Sequence, residues 1–600
     1  MRTKSGDQDM SKCRFATVSR CAATLGLVAG IAFTPVASFA QNQAPERPSG
    51  WTDKKPVTSK RFMIAAANPL AVEAGYRILK QGGTAVDAAI AVQLVLGLVE
   101  PQSSGLGGGA FLLAHDAKTK KLVAYDGRET APAAAKADRF LGQDGKPLAF
   151  YDAVIGGKSV GVPGTVRLLE TAHRKHGKLA WASLFTPAIE LADSGFAVSP
   201  RLHTMVAAEK YLTQPLARSY FYDDNNRARA IGAVFKNPAY AATLRKIAAG
   251  GAEAFYTGEI AQDIVDTANL RPVNPGDLTL ADLASYGVKT REPVCGVYRT
   301  YRVCGFPLPS SGGLTVLQML EILEPYDLRA MGPASFFSVH FLSEAGRLAY
   351  ADRGAYMADP DFYKPPAGLL DPAYLAQRSA QIANTSSLGR AKAGQPPAQA
   401  TPSRKIAAGD DTPLEFASTS HISVVDRYGN AVAMTTTIED AFGSRLMTRS
   451  GFLLNNELTD FSFAPSDEGQ PVANRVEAGK RPRSSMAPTI VYDKFGRVAI
   501  IAGSPGGSAI INYVAKTLIG IIDWGLDPQA AIALPNFGSR NGPTELEKNT
   551  SIAALEPKLK ILGADVRVID ATSGLQAIVR TKQGWIGGAD PRREGIVKGD

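Results

Sequence analysis

The stretch STSHISVVDRYGNAVAMTTT, residues 418–437, predicts a β-hairpin whose first strand starts with a cluster of hydroxyl side chains. Residues 421–426 and 431–437 alternate in polarity or are β-branched around the turn DRYGN, where Gly429 suits a left-handed backbone. Residues 385–415 have the Pro, Ala, Gly and Ser composition of an exposed loop or linker. The hydroxyl cluster therefore lies where a linker meets a sheet.

This placement suits a chain that is cut at the cluster, so that a hydroxyl residue becomes a new N-terminus. A threonine hydroxyl is a weak nucleophile and needs a nearby base. An α-amino group has a pKa of about 7.7–8.0, against about 10.4 for a lysine amine, so a useful fraction is neutral near pH 7. Thr419 at a new N-terminus would carry its own base. Taken alone, however, such a cluster is more typical of a turn or a strand edge.

Length and composition describe a large globular protein. The 600 residues exceed the roughly 100–200 of an ordinary domain, which leaves a large sandwich or two closely joined domains open. Hydrophobic residues make up 45% and charged residues 20% of the chain, enough to build an ample core. No run of Lys or Arg and no aromatic-basic patch concentrates the positive charge, so nucleic-acid binding is not expected.

Residues 1–40 are predicted to be a secretory signal that is removed from the mature protein. The basic residues Lys12, Arg14 and Arg20 precede the apolar run CAATLGLVAGIAF, and SFA at 38–40 offers small residues where a signal peptidase cuts. That run is too short to span a membrane, and no later stretch is long and charge-free enough, so we expect no stable membrane span. Removal takes five basic and two acidic residues and lowers the formal net charge from +10 to +7. We therefore expect a periplasmic or secreted protein.

Cysteine usage agrees with export, because Cys13 and Cys21 leave with the signal and only Cys295 and Cys304 remain. These two lie in PVCGVYRTYRVCGFP, where a turn at 299–300 brings residue 295 opposite residue 304. We expect a disulfide between them in an oxidising compartment, with two buried free thiols as the alternative. No metal site is expected, since two thiols without nearby histidines do not fill a tetrahedral zinc site.

The early part of the chain predicts two helices followed by a glycine-rich strand. NPLAVEAGYRILKQGG at 68–83 reads as a helix stopped by glycines, and TAVDAAIAVQLVLGLVEP at 84–101 as a helix buried on every face. SSGLGGGAFLLAHD at 103–116 lacks the Lys-Ser/Thr of a phosphate loop and leads into a strand, so we expect tight backbone packing there. Residues 160–380 are predicted to be mostly helical, and 419–510 rich in strands.

Eight motifs occur in order along the chain: GGTAVDAAIAVQLVLGLVEPQSSGLGGGAFLL, YDGRETAPAAA, PSSGGLTVLQMLEILE, AYADRGAYMADPDF, TSHISVVDRYGNAVAMTTT, GFLLNNELTDFS, GKRPRSSMAPTIV and GSPGGSAIIN. Together they resemble the γ-glutamyltranspeptidase family of N-terminal-nucleophile hydrolases. The match runs from about residue 61 to near the C-terminus.

The resemblance implies an α+β fold, a four-layer αββα sandwich of two antiparallel sheets covered by helices. It also implies a proenzyme that cuts itself between Ser418 and Thr419. The products would be a large α subunit, residues 41–418, and a small β subunit, residues 419–600. Both would contribute strands to one core, so the α–β heterodimer would not be split at a domain boundary.

The chemistry that the resemblance implies is γ-glutamyl transfer. Thr419 would attack the γ-glutamyl amide of glutathione or a related compound and pass the acyl group to water or to an amino-acid or dipeptide acceptor. Thr437 matches a second threonine that orients the nucleophile, and the backbone N–H groups of Gly506 and Gly507 match the oxyanion donors. No metal or organic cofactor is implied, because the chain itself supplies base, nucleophile and oxyanion donors.

Charge predicts how a γ-glutamyl group would be recognised, since it presents an α-carboxylate and an α-ammonium. Arg128 matches the arginine that grips the carboxylate, for which a planar guanidinium is well suited. Ser484 and Ser485 match the hydroxyl donors for the carboxylate. Glu457 and Asp460 match the acceptors for the ammonium.

Two departures from the family pattern bear on specificity. Glu439 stands where well-studied bacterial members have asparagine, which adds a negative charge on the ammonium side. The segment 462–479 is shorter than the lid loop of those members and has no tyrosine. We therefore expect a more open site that favours hydrolysis over transfer.

Two other functions were weighed against γ-glutamyl transfer. A cephalosporin (glutaryl) acylase of the same superfamily would share the nucleophile but act on an acyl chain without the ammonium. Glu439, Glu457 and Asp460 argue against it, since they would lack a cation. A periplasmic binding protein that never cleaves itself is the more distant alternative.

Overall fold

Two antiparallel seven-stranded sheets, stacked face to face, form the centre of the structure. The computed structural model describes residues 50–270, 274–397 and 418–600. The predicted signal at 1–40 lies outside the described residues, as does the larger part of the predicted linker, so export and periplasmic or secreted location stay predictions. The part of the linker that is described, 385–397, has neither helix nor strand.

The strands are β1 Val57–Ser59, β2 Met63–Ala66, β3 Gly109–Asp116, β4 Lys121–Gly127, β5 Phe196–Ala197, β6 Val234–Phe235, β7 Lys289–Arg291, β8 Val294–Tyr298, β9 Tyr301–Gly305, β10 Thr419–Val425, β11 Ala431–Thr437, β12 Ser466–Asp467, β13 Gln470–Pro471, β14 Thr489–Tyr492, β15 Val498–Gly503, β16 Phe537–Ser539, β17 Thr544–Glu547, β18 Val566–Ile569, β19 Gln576–Thr581, β20 Gly584–Ala589 and β21 Ile596–Gly599.

The α-helices are α1 Pro69–Lys80, α2 Ala85–Val99, α3 Phe150–Val154, α4 Thr165–His176, α5 Thr186–Ser194, α6 Pro200–Ala208, α7 Pro215–Phe221, α8 Pro238–Gly250, α9 Glu253–Tyr256, α10 Gly258–Asn269, α11 Leu280–Ala284, α12 Gly312–Leu323, α13 Leu328–Met331, α14 Phe336–Tyr356, α15 Pro372–Ser379, α16 Ile510–Ile522, α17 Pro528–Ala533 and α18 Glu556–Ile561.

The first large sheet has the strand order β21-β2-β10-β11-β3-β4-β7, and the second the order β1-β20-β19-β15-β14-β9-β8. Helices α1, α2, α4, α5 and α8 share an apolar core with the outer face of the first sheet. Helices α12, α14 and α16 share the other large core with both sheets, and α17 contacts β19 and β20. The four-layer αββα sandwich is confirmed.

The predicted hairpin at 418–437 lies in the middle of the first sheet. Strands β10 and β11 pair from Thr419 opposite Thr437 to Val425 opposite Ala431, and Gly429 in the turn has a φ of 87°. Because β2 precedes residue 418 and pairs with β10, residues from both sides of the proposed cut build the same sheet.

The early helices form as predicted. Asn68 caps α1 ahead of Pro69, and Thr84 forms a capping box with Asp87 at the start of α2. Every residue of α2 is buried, as its apolar sequence predicts.

The glycine-rich turn before β3 brings backbone close to the hairpin. A Cβ on Gly108 would lie 2.0 Å from the carbonyl oxygen of Thr437, and one on Gly107 would lie 2.1 Å from the carbonyl oxygen of Leu453. Neither position leaves room for a side chain, so the tight backbone packing predicted for GLGGG is confirmed.

Cys295 and Cys304 face each other across the β8–β9 hairpin and form a disulfide. The hairpin lies at one end of the second sheet, because β9 pairs with β14 and β8 is the last strand. Among the described residues, no helix is both long and apolar enough to cross a membrane.

We expect the double substitution of Cys295 and Cys304 by serine to lower the free energy of unfolding by about 2–3 kcal/mol. The catalytic rate should stay within about twofold of the native value, since no residue of the candidate active site lies on this hairpin. Denaturant unfolding under non-reducing conditions, together with an activity assay, checks both. A variant as stable as the native protein would mean that the disulfide contributes nothing.

Candidate active site

Thr419 and Thr437 lie opposite each other at the open end of the hairpin and are both almost fully buried. The Thr419 hydroxyl donates to Oγ1 of Thr437 over 3.2 Å, and the Thr437 hydroxyl donates to the carbonyl oxygen of Ser418 over 2.8 Å. The backbone N–H of Glu439 donates to the same Thr437 oxygen over 2.9 Å. With two donors received and one hydrogen given, the hydrogen-bonding capacity of the Thr437 hydroxyl is filled, so its direction is fixed.

Hydrogen bonds from neighbouring segments hold both Ser418 and Thr419. The Ser418 hydroxyl donates to the carbonyl of Gln102 over 2.6 Å, on the segment just before the glycine-rich turn. Nη1 of Arg593 donates to the carbonyl oxygen of Thr419 over 3.2 Å. The Thr419 hydroxyl, the Thr437 hydroxyl and the Ser418 carbonyl are thus joined by successive hydrogen bonds.

His421, the histidine of the hydroxyl cluster, is a structural residue. Its ring lies between the sheets, fully buried, with Nδ1 bonded to the Thr435 hydroxyl over 2.8 Å and Nε2 to the Ser423 hydroxyl over 3.0 Å. Burial lowers the pKa of His421 to about 3, so the ring is neutral at physiological pH. A Cβ on Gly503 would lie 2.2 Å from this ring, which explains the glycine at the end of β15.

The two threonines open onto a small cavity that collects nine of the ten predicted catalytic and binding residues. The tenth, Gly506, directly precedes the lining residue Gly507 in sequence but does not itself line the cavity. The lining residues are Arg128, Thr419, Thr437, Glu439, Glu457, Asp460, Ser484, Ser485, Met486, Gly507 and Ile510.

Arg128 is completely buried at the centre of the charged side of the cavity. Its guanidinium forms ion pairs with Glu457 and, over 2.5 Å, with Asp460, and it donates to the carbonyls of Pro482 and Arg483 over 3.1 and 2.9 Å. Burial alone would lower the pKa of Arg128, but the neighbouring carboxylates outweigh it and raise the pKa, so the guanidinium stays charged.

The 3₁₀ turn Glu457–Asp460 explains how both acids reach one arginine. Side chains three residues apart in a 3₁₀ turn project from the same side. From the sequence, both acids were expected to bind the ammonium of a ligand and to lack a cation without it. In the structure Arg128 contacts both, so they have a cation even without a ligand.

Two further acids lie close to this cluster, and no described Lys, Arg or His forms an ion pair with either. Glu129 is fully buried, and neither of its carboxylate oxygens has a hydrogen-bond partner among the described residues. Glu439 accepts from Asn456 Nδ2 and, over 3.4 Å, from the Thr459 hydroxyl. Burial first, and then the charge of neighbouring acids, raises the pKa of Glu129 and of Glu439 well above the usual range. The cavity lining therefore has one cation, Arg128, against three acidic side chains, and Glu129 is a fourth buried acid beside them.

Glu439 has an unusual backbone conformation. Its φ is 75°, in the left-handed region, and Phe442 and Arg445 in the same loop have φ values of 65° and 61°. Non-glycine residues in this region are strained and occur preferentially at functional sites. The Glu439 side chain, two residues after Thr437, lines the cavity.

Ser484, Ser485 and Gly507 form the uncharged polar part of the cavity lining, in contrast to the acids. Gly506 has a φ of 139° and Gly507 a φ of 55°, conformations open to glycine, and a Cβ on Gly506 would lie 2.7 Å from the Tyr513 ring. The turn leads directly into α16, so its backbone N–H groups lie at the start of a helix, where anions are favoured.

Several residues near the site were missed by the sequence analysis. Met486 and Ile510 line the cavity, Glu129 adds a buried acid, and Arg593 reaches the Thr419 carbonyl. Only Glu129 had a sequence signal, as a charged residue that directly follows Arg128 in the motif YDGRETAPAAA. Residues 50–270, 274–397 and 418–600 contain no group of three or more His, Cys, Asp or Glu arranged to hold a metal ion.

Comparison with known proteins gives consistent matches along nearly the whole chain. A sequence model of the family described as gamma-glutamyltranspeptidase matches residues 71–599. The chain is 38% identical over 502 residues to the glutathione hydrolase proenzyme of Bacillus subtilis (strain 168), covering 82% of this chain and 84% of that protein. It is 37% identical over 553 residues to the glutathione hydrolase proenzyme of Escherichia coli (strain K12), covering 90% and 91%.

The structure is also similar to the crystal structure of a cephalosporin acylase from Bacillus halodurans. The TM-score is 0.79 at 27% sequence identity, and the superposition covers 93% of this chain and 99% of the acylase. The similarity includes both sides of the proposed cut.

Proposed function

The chain belongs to the γ-glutamyltranspeptidase family and is a γ-glutamyltransferase and glutathione hydrolase, and we propose that Thr419, freed by self-cleavage, is its nucleophile. The cut between Ser418 and Thr419 would give an α subunit, residues 41–418, and a β subunit, residues 419–600. The charge balance of the cavity lining, one arginine against three acids, is the observation that supports a zwitterionic γ-glutamyl group most directly.

Self-cleavage uses the hydrogen bonds around the bond between Ser418 and Thr419. Thr419 Oγ1 attacks the carbonyl carbon of Ser418 while its proton moves towards Thr437, which also polarises that carbonyl. The C–N bond breaks, the nitrogen takes the proton of the Thr419 hydroxyl, relayed by Thr437, and becomes the α-amine of Thr419, and an ester joins the two residues. Water then hydrolyses the ester and leaves a Ser418 carboxylate and a free Thr419.

The mature reaction repeats this chemistry on the substrate. The Thr419 amine takes the proton of its own hydroxyl as the oxygen attacks the γ-carbonyl, and then gives the proton to the departing amine. The backbone N–H groups at Gly506 and Gly507 stabilise the oxyanion. Water or an acceptor amine attacks the resulting ester, releasing glutamate or a new γ-glutamyl compound and regenerating the Thr419 hydroxyl.

Recognition of the donor follows from the two charged groups of the γ-glutamyl moiety. Its α-carboxylate would contact Arg128, Ser484 and Ser485. Its ammonium would lie among Glu439, Glu457 and Asp460, which hold more negative charge than one arginine balances. Glutathione and other γ-glutamyl compounds are the donors that this arrangement suits, with water, amino acids or dipeptides as acyl acceptors.

A glutaryl acylase activity is the second candidate, favoured by the similarity to the cephalosporin acylase. A glutaryl group keeps the carboxylate but brings no ammonium to Glu439 and the other acids. We expect kcat/KM to be at least about tenfold higher for a γ-glutamyl anilide than for the glutaryl anilide, because one buried charge contact is lost. Equal or reversed values would favour the acylase.

Glu439→Gln is expected to stabilise the ligand-free protein near pH 7 and to weaken substrate binding. The raised pKa of Glu439 means that folding opposes its ionisation, so native stability falls as pH rises above about 4.3, the unfolded value. The glutamine variant lacks this penalty, so its thermal midpoint should exceed the native one at pH 7 and match it near pH 4. The KM for a γ-glutamyl anilide should rise about tenfold, since the ammonium loses a partner.

Glu324→Gln is a suitable control for that variant, because Glu324 is an exposed acid remote from the cavity, close to Arg299. A Glu439→Gln variant with native KM and a lower midpoint at pH 7 would place Glu439 in structure instead of recognition.

The ratio of hydrolysis to transfer tests the expectation that the short lid segment leaves the acceptor side of the site open. Residues 462–479 form a small β12–β13 hairpin with an exposed tip, and Phe463 stacks on Phe140 with ring centroids 4.8 Å apart. We expect hydrolysis to dominate, with the rate of anilide release rising less than about threefold when a dipeptide acceptor is added. A tenfold or larger stimulation by the dipeptide would contradict an open acceptor side.

A further inference from the structure

Ser484 and Ser485 are positioned by two motifs that have no role in the proposed function, the turn PSSGG and the α14 motif that contains Arg353. Ser484 and Ser485 lie on an extended segment that runs beside the turn PSSGG at 309–313. The N–H and hydroxyl of Ser311 donate to the Ser484 carbonyl over 2.8 and 2.7 Å, and the Ser310 hydroxyl donates to the Met486 carbonyl over 2.5 Å. This turn therefore fixes the backbone that carries both hydroxyls.

Arg353, from the motif AYADRGAYMADPDF, joins the turn to the second serine. It lies on α14 and is only 5% exposed. Its Nε donates to the Ser311 hydroxyl over 2.8 Å and its Nη2 donates to the Ser485 hydroxyl over 2.7 Å. The carbonyl of Arg353 also accepts from Nη1 of Arg483 over 3.2 Å, so helix and serine segment are linked at two points.

The contact determines what the Ser485 hydroxyl can do towards a ligand. A hydroxyl has one hydrogen and two lone pairs, and an arginine N–H is a donor that never accepts. With one lone pair of Ser485 bound by a cation, the hydroxyl is polarised and becomes a stronger donor of its own hydrogen. A carboxylate is the ligand group that such a donor favours, and a buried positive charge behind the serine adds to the preference.

We propose that Arg353 is a positioning residue for carboxylate recognition, acting through the Ser485 hydroxyl. The inference rests on the proposed function, because it assumes that the substrate carboxylate meets Ser485. It assigns to Arg353 a part of the discrimination between acyl groups that carry a carboxylate and those that do not. Arg128 contacts the carboxylate directly, and Arg353 prepares the hydroxyl beside it.

Three anilides with the same leaving group separate this role from general damage. The γ-glutamyl anilide carries carboxylate and ammonium, the glutaryl anilide only the carboxylate, and the 4-aminobutyryl anilide only the ammonium. For Arg353→Met we expect kcat/KM to fall about 10- to 100-fold on the two carboxylate substrates, mainly through KM. On the 4-aminobutyryl anilide it should change less than about threefold. Equal losses on all three substrates would overturn the proposal.

A double-substitution cycle tests whether Arg353 acts through Ser485. In a Ser485→Ala background, Arg353→Met should cost less than about threefold on the γ-glutamyl anilide, because the hydroxyl that it prepares is gone. If the two losses multiply, Arg353 works independently of Ser485 and the inference is wrong. Activity of the native protein on the γ-glutamyl anilide, with a cut at Thr419, tests the proposed function separately.

Arg347 provides a matched control on the same helix. It is equally buried, and it donates to the carbonyl of Gly389 and to the Thr544 hydroxyl, away from the serine pair. Arg347→Met should leave the ratio between the three anilides unchanged. If Arg353→Met fails to mature, Arg353→Lys, which keeps the charge, is used in its place. Failure of both Arg353 variants to mature, while Arg347→Met matures, would show a folding role and overturn the proposal.

Discussion

Replacement of Thr419 by alanine is expected to leave the chain uncut and to abolish activity on γ-glutamyl anilides. The variant has no oxygen to attack the Ser418 carbonyl, and without a cut it has no free α-amine to serve as base. Denaturing electrophoresis should show one full-length band in place of two fragments. We expect the turnover rate to fall by about 10⁴-fold or more, the range seen when a catalytic nucleophile is removed.

Thr419→Ser is the matched control, since it keeps a hydroxyl in the same position. It should cut itself more slowly and retain measurable activity, because serine lacks the methyl group that restricts the threonine rotamer. Two fragments from Thr419→Ala would exclude Thr419 as the cleaving nucleophile. A single band from the native protein, with ligand binding intact, would favour the non-cleaving binding protein.

Replacement of Arg128 by glutamine is expected to damage both recognition and stability. The KM for a γ-glutamyl anilide should rise at least about 100-fold, because a buried, charge-assisted contact with the carboxylate is lost. Glu457 and Asp460 would lose their buried cation as well, and breaking a buried ion pair typically costs about 3–5 kcal/mol. A thermal midpoint and a substrate titration on the cut fraction measure the two effects separately.

Arg128→Lys separates the effect of the positive charge of Arg128 from the effect of its planar guanidinium. A lysine keeps one positive charge near Glu457 and Asp460 but has no planar guanidinium that can contact these acids and a substrate carboxylate together. We therefore expect most of the stability to return while the KM stays raised by about tenfold. An unchanged KM in Arg128→Gln would mean that the substrate carboxylate is bound elsewhere in the cavity.

Local patterns in the sequence were enough to predict the elements that carry the site. Alternation and β-branching predicted strands β10 and β11, and Gly429 predicted the turn between them. An uninterrupted apolar run predicted α2, and the spacing about the 299–300 turn predicted the disulfide partners. Each of these depends on residues that are close in the chain, which is why the pattern is visible there.

The order of strands could not be read from any local pattern. β21 pairs with β2, and β1 pairs with β20. In each sheet an edge strand therefore pairs with a strand more than 500 residues away in sequence. The resemblance to a known family supplied this long-range information, and with it the sandwich.

The residues of the candidate site also fall into those that were predicted and those that were missed. Nine of the ten residues carried over from the family line one cavity, although their roles stay proposals. Arg353 and Arg593 were missed because their partners, Ser485 and the Thr419 carbonyl, are distant in sequence, and neither the motif that contains Arg353 nor the pair Arg592-Arg593 indicates which group each arginine contacts. The pairing of Arg128 with two acids was missed because charge alone does not tell which carboxylate an arginine contacts.

The mass and N-terminal sequence of the small fragment from catalytically active protein test the central claim most directly. A nucleophile that carries its own base requires a fragment that begins Thr-Ser-His and extends from residue 419 to residue 600. Active protein that is uncut, or whose small fragment begins at any other residue, would contradict the account.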